Sequence, residues 1–176
     1  MATENHIVMF AYGSNMFTAR LQARVPSAKA IGIGQLKGHV LKWHKRSDDD
    51  SGKCDVEFTG SETDAVCGVL FEINASEKHI LDRAEGLNNG YAEKEVAILS
   101  SVGVVQAKVY YATEKDPTLK PYDWYKAFVV AGAHEHNLPG DIISALESVV
   151  SMPDLDRKRA AENAKLLSGG FVTLNE

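Results

Sequence analysis

The sequence predicts an α+β fold, and three observations lead there. Short apolar or alternating runs recur from residue 7 to residue 111, each bounded by glycine or polar turn residues, enough for about five to seven strands. Glycines at 32, 34 and 38 sit inside extended chain, as they do at bulges and barrel corners. Helical patterns appear between strands and then gather after Pro121. Strands with inserted helices and a helical C-terminal region make an α+β pattern, not a βαβ alternation.

Residues 7–12 are apolar and stop at Gly13, which reads as a buried strand. Asn15 is placed to cap a helix over about 16–25, closed by Pro26. Residues 31–45 read as extended chain, and 47–52 as a solvated turn. Residues 54–59 and 65–73 alternate, which predicts a hairpin through residues 60–63. Asn74 and Glu77 have capping-box spacing before a helix that carries Ile80, Leu81 and Ala84 and ends at Gly86. Two more alternating runs cover 91–99 and 104–111. Trp124, Ala127, Phe128 and Ala131 then form a helical stripe. Asp141 is placed to cap a further helix with Ile142, Leu146 and Val149, and a last helix is expected over 154–167, with residues 157–159 on its exposed side. The chain reads as one domain over 1–176, with a core at about 7–150 and a helical extension over 151–176.

Composition narrows the function classes. The 176 residues carry 19 Lys plus Arg against 24 Asp plus Glu, a net charge of −5. Nucleic acid is therefore not expected as a partner, because binding its backbone needs an excess of facing cations. No apolar stretch reaches the ~20 residues of a membrane span. Residues 1–6 are polar and do not resemble a signal peptide. Cys54 and Cys67 have no metal-knuckle spacing and suggest a reducing, cytoplasmic location.

Two segments are candidates for chemistry. In Phe10-Ala11-Tyr12-Gly13-Ser14-Asn15 a strand ends, glycine turns the chain and a helix begins. Backbone N–H groups in such a turn converge on anions, although the same pattern also serves as a plain turn and cap. In Leu81-Asp82-Arg83-Ala84-Glu85-Gly86, Glu85 lies one helical turn after Leu81, at the edge of an apolar stripe and near a helix C-terminus. That places it as a candidate general acid/base, against the plainer reading of a surface glutamate. The glycines at 32, 34 and 38 have GxGxxxG spacing without a βαβ unit and do not predict a dinucleotide site. His39, His44, His134 and His136 are the weaker candidates for a metal-dependent hydrolase. Ser14 lacks a GxSxG elbow.

Read together, these segments resemble the gamma-glutamylcyclotransferase family. The family's strand ending in YGSN is matched by Tyr12-Gly13-Ser14-Asn15, and its LDxxEG glutamate by Glu85. The following tyrosine is matched by Tyr91, and the later YK…LP segment by Tyr125-Lys126 through Leu138-Pro139. The departures are His134 and His136. The resemblance spans about residues 7–150, with the motifs in family order.

It implies a small, partly closed mixed β-barrel flanked by helices. It also implies conversion of gamma-glutamyl amino acids or amines to 5-oxoproline and the released amine, with no cofactor and no metal. Glu85 would be the catalytic acid/base, while Phe10, Ala11, Tyr12, Gly13, Ser14, Asn15, Tyr91 and Tyr125 would bind substrate, the tyrosines offering hydroxyls. The expected partner is a small gamma-glutamyl molecule, and a homodimer is left open. Glutathione-specific relatives usually carry another residue after YGS, so Asn15 points away from glutathione. The 47–53 loop and the 154–176 segment are the places where specificity would be shaped. The alternative is a module on the same fold that holds a gamma-glutamyl ligand without turnover.

Overall fold

The computed structural model describes residues 5–169. Seven strands are present: β1 (His6–Ala11), β2 (Lys29–Lys37), β3 (His39–Arg46), β4 (Gly52–Phe58), β5 (Ala65–Asn74), β6 (Tyr91–Ser100) and β7 (Gly103–Ala112). Five α-helices accompany them: α1 (Thr18–Gln22), α2 (Lys78–Glu85), α3 (Asp123–Glu135), α4 (Gly140–Glu147) and α5 (Arg157–Gly169). None of the described helices is long and apolar enough to cross a membrane.

Five strands close a mixed barrel in the order β1-β5-β2-β6-β7. Four of its seams are antiparallel. The fifth, β7 to β1, is parallel and short, registered at Met9 opposite Lys108. The expected α+β class and helix-flanked barrel are therefore what the chain forms. Val69, Phe71, Ile73, Ile98 and Val109 fill the interior and are fully buried. At roughly 25 cal/mol per Å², this apolar burial supplies the main force closing the barrel.

The hairpin expected through residues 60–63 does not form. β5 carries β1 on one edge and β2 on the other, so neither edge is left for β4. β4 instead pairs antiparallel with β3 in a separate two-stranded sheet. This hairpin is nested at the tip of the β2–β5 pair, where Lys37 opposes Ala65. Gly38, at φ +71, makes the exit; Thr59 and Gly60 donate to its carbonyl and it donates to Asp64. Alternation predicted the strands correctly but carries no information about partners.

The helix expected over 16–25 is broken. Ser14–Met16 form one 3-10 turn, Phe17 is extended at ψ 108, and α1 follows. Asn15 is not its cap. Asn74 caps as expected, accepting from Ser76 N, but Glu77 leaves the capping box and accepts from the N–H and hydroxyl of Ser27. α2 ends at Gly86, which takes the left-handed φ of +75 that a side chain would resist. Its stripe is narrower than expected, because Ile80 is exposed while Leu81 is buried.

α3 is buried on more than one side. Tyr125, Val129 and Ala133 pack against the barrel, and Phe128 and Ala131 pack with Phe17 and α5 residues Leu166 and Leu167. α4 starts behind Pro139, with Asp141 in its first turn and not at the cap. α5 starts at Arg157. Arg159 is not on a free face: its guanidinium donates to both oxygens of Asp154, at 2.6 and 2.7 Å, and lies over the Tyr122 ring. The expected extension beyond residue 169 lies outside the described residues.

Candidate active site

β1 runs out at Ala11, and the chain turns through Tyr12 and Gly13 into the short Ser14–Met16 turn. α2 approaches from the other side and stops at Gly86, which leaves Glu85 at its end. Glu85 and Asn15 meet: Asn15 Nδ2 donates to Glu85 Oε1 at 2.6 Å. Arg24 Nη1 donates to the same oxygen at 3.0 Å and to Asn15 Oδ1 at 3.1 Å. The three side chains therefore form a closed triangle that fixes the carboxylate. Both donors sit on Oε1, and among the described residues Oε2 has no hydrogen-bond partner. Asn15 thus spends its side chain on Glu85, which is why it does not cap the helix.

All nine residues singled out in the sequence line one cleft, of about 340 Å³: Phe10, Ala11, Tyr12, Gly13, Ser14, Asn15, Glu85, Tyr91 and Tyr125. Cys54 and Tyr110 complete the lining. Gly13 sits where space is tight. A Cβ there would stand 3.0 Å from the Tyr125 hydroxyl and 3.1 Å from Cys54 Cβ. The backbone N–H groups of Gly13, Ser14 and Asn15 have no acceptor among the described residues. They are donors available to an anion.

The tyrosine hydroxyls have partners within the protein. Tyr12 donates to the Tyr110 carbonyl at 2.6 Å, and Tyr91 donates to the Cys54 carbonyl at 2.6 Å. Tyr125 accepts from the Cys54 N–H at 3.0 Å. The Cys54 peptide is thus gripped at both ends, and Tyr110 donates to Asp82. Burial pushes the Tyr12, Tyr91 and Tyr125 hydroxyls well above the usual phenol range, so they stay neutral. Burial likewise pushes the Cys54 thiol up to about 12, which makes it a packing residue and not a nucleophile.

A second cleft, of about 400 Å³, adjoins the first and shares Ser14, Glu85, Tyr91 and Tyr125 with it. Arg20, Arg24, Lys45, Ser47 and Lys53 line its far side. Arg20 Nε donates to Ser14 Oγ at 3.0 Å, and Arg20 Nη1 to Asn163 of α5 at 3.2 Å. The sequence reading missed these cations and Arg24. One signal was present, since Arg20 and Arg24 are one helical turn apart and share a face. Lys45 and Lys53 are brought in by strand pairing, which no local pattern carries.

The four histidines considered for a metal lie apart. His39 joins Lys37 O and Lys94, His44 joins Asp55, His134 joins Glu147, and His136 joins Met16 O. No group of three or more His, Cys, Asp or Glu side chains is placed to hold a metal among the described residues.

Residues 65–146 match the model of the AIG2-like family. A gamma-glutamylcyclotransferase of Bos taurus is 32% identical over 146 residues, covering 80% of this chain and 77% of the relative. A gamma-glutamylcyclotransferase of Homo sapiens is 29% identical over 155 residues, covering 83% of this chain and 80% of the relative. A solved structure described as gamma-glutamyl cyclotransferase superposes with a TM-score of 0.84 at 26% identity, covering 94% of this chain and 99% of that one. With that extent of sequence match and the same barrel, the chain belongs to the gamma-glutamylcyclotransferase family.

Proposed function

We propose that the protein converts gamma-glutamyl amino acids or amines to 5-oxoproline and the released amine, with Glu85 as general acid/base. The observation that carries this reading is the fixed Glu85 carboxylate, one oxygen held by Asn15 and Arg24 and the other unengaged, beside the free N–H groups of residues 13–15. A gamma-glutamyl substrate carries an α-carboxylate, an α-ammonium and a γ-amide. The N–H groups suit an anion, either the α-carboxylate or the oxyanion formed at the γ-carbon.

In this reading Glu85 takes a proton from the α-ammonium. The freed amine attacks the γ-carbonyl carbon, and a five-membered ring closes. Glu85 then returns the proton to the departing nitrogen as the amide C–N bond breaks, and the ring nitrogen's second proton passes to the released amine. Nucleophile and electrophile belong to one molecule, so the protein's main contribution is to hold the chain folded back. Neutral, hydrogen-bonded tyrosines give that fold rigid walls. Arg24 and Asn15 are positioning residues, since they act through Glu85.

The test is formation of 5-oxoproline, followed by mass spectrometry, from a panel of gamma-glutamyl dipeptides, glutathione and a gamma-glutamyl amine. Glu85→Gln keeps the Oε1 acceptor but cannot relay a proton, so turnover should fall by about 10²–10⁴-fold with little change in KM. Near-normal turnover in that variant would remove Glu85 from the role. Ligand binding without product from the native protein would favour the non-catalytic module.

A further inference from the structure

The second cleft holds an excess of positive charge. Of its four cations, two have carboxylate partners: Arg24 meets Glu85 at 3.0 Å, and Lys53 meets Asp49 at 2.9 Å. The other two have none among the described residues. Arg20 bonds only to the neutral Ser14 and Asn163 and stacks on the Phe128 and Trp124 rings, 4.5 and 5.6 Å from their centres. Lys45 is 7% exposed and sits 4.7 Å from the centre of the Tyr91 ring. The anions nearest Lys45 are Asp48, Glu85, Glu114 and Asp49: Asp48 and Glu114 are exposed to solvent, where water screens them, and Glu85 and Asp49 already pair with Arg24 and Lys53. Two positive charges therefore remain uncompensated beside Glu85.

The backbone makes this arrangement harder to dismiss as accident. Lys45 and Lys53 are directly opposed partners in the β3–β4 ladder. Like charges in that relation destabilise a hairpin, and burying a cation without a counter-charge costs more. The charges also crowd one another. Burial pulls Lys53 down to about 8, with Arg20 and Arg159 adding repulsion, and Arg20 falls to about 10 through burial and then Arg24. A sequence of net charge −5 has nevertheless put four cations on one cleft.

In the cyclotransferase reading the two clefts divide the substrate between them. The first presents the N–H donors of residues 13–15, and Glu85 lies on the boundary, where the scissile nitrogen must be if it is to receive a proton. The leaving group then extends into the second cleft. We infer that the preferred leaving group is an acidic amino acid, whose α-carboxylate and side-chain carboxylate together match the two uncompensated cations, Arg20 and Lys45. This rests on the cyclotransferase reading and deepens it. A simple amine brings no negative charge to the cleft, and a neutral amino acid brings one.

Three substrates form a charge ladder: gamma-glutamylglutamate, its near-isostere gamma-glutamylglutamine, and the smaller gamma-glutamylethylamide. The expected order of kcat/KM is glutamate, then glutamine, then ethylamide. The first pair should differ by at least about tenfold, the low end for hydrogen bonds to charged groups. That ratio should shrink with added salt. Lys45→Gln should bring the glutamate/glutamine ratio close to one, and Lys45→Arg should restore most of it, which separates lost charge from lost folding. A glutamine substrate turned over as well as the glutamate one by the native protein would overturn the inference and leave the cyclotransferase reading standing. No 5-oxoproline from any of the three or from the wider dipeptide panel would overturn both.

Discussion

The Cys54 peptide shows how a few side chains carry both fold and site. Its N–H meets Tyr125 and its carbonyl meets Tyr91, two tyrosines far apart in sequence. β4 has no barrel partner here, so the two hydroxyls stand in for a neighbouring strand. Removing one hydroxyl leaves a buried backbone group unpaired, which costs about 1–3 kcal/mol. Tyr91→Phe and Tyr125→Phe should each lower the unfolding free energy read from urea titration by that amount while keeping the ring wall. KM for a gamma-glutamyl dipeptide should change less than two- to threefold, about a few tenths of a kcal/mol. A large KM change with unchanged stability would mean that these hydroxyls act on substrate and not on the Cys54 peptide. At this scale the sequence was informative. YGSN, Glu85, Tyr91 and Tyr125 all converge on one cleft. Local spacing misassigned only their bonds, because Asn15 and Glu77 each found a tertiary partner that outcompeted the cap.

At the scale of elements, α3 positions the Ser14–Met16 turn. Gly132 lets the helix and the turn touch: a Cβ there would lie 2.6 Å from the Met16 backbone carbon and from the Phe17 nitrogen. Alanine is the better helix former by about 1 kcal/mol. A contact that short cannot be relieved by rotating a side chain, and overpacking of this kind costs about 1–3 kcal/mol. The clash should win. Gly132→Ala is expected to lower stability in urea unfolding and to lower turnover together, since the strain is passed to the residues that carry Asn15. An unchanged or raised midpoint would show that the turn can yield without cost. Strand and helix positions were largely legible, because periodicity of 2 or 3.6 reports burial. The β3–β4 pairing was not, because partner choice depends on which edges β5 leaves free.

At the scale of the whole molecule, the second cleft is assembled from parts that meet only in the fold. α1 brings Arg20, the turn after it brings Arg24, the nested hairpin brings Lys45 and Lys53, and α5 braces Arg20 through Asn163. Such a site is invisible to any sequence window, although Ser47 and Lys53 of the 47–53 segment line it and Asn163 holds Arg20. The assembly also has a cost that pH exposes. Lys53 on β4 faces Asp49 from the preceding loop, Arg20 from α1, Arg159 from α5, the Tyr122 ring just before α3 and the rings of Trp124 and Tyr125 in α3. Burial dominates, and its pKa falls from 10.5 to about 8. Below about 8 both folded and unfolded chains carry the proton, so the full penalty of burying the cation is present. Between about 8 and 10.5 the unfolded chain holds the proton and the folded chain has released it, so stability attributable to Lys53 rises with pH. Cys54 works in the opposite direction, because its raised pKa withdraws stability above about 9. The comparison must therefore be made against Lys53→Met, which keeps Cys54 and the aliphatic stem. Urea midpoints of the two proteins between pH 7 and 10 should converge or cross in favour of the native chain as pH rises. Parallel midpoints across that range would mean that the Asp49 partner compensates Lys53 fully and that the cleft carries less positive stress than its residues suggest.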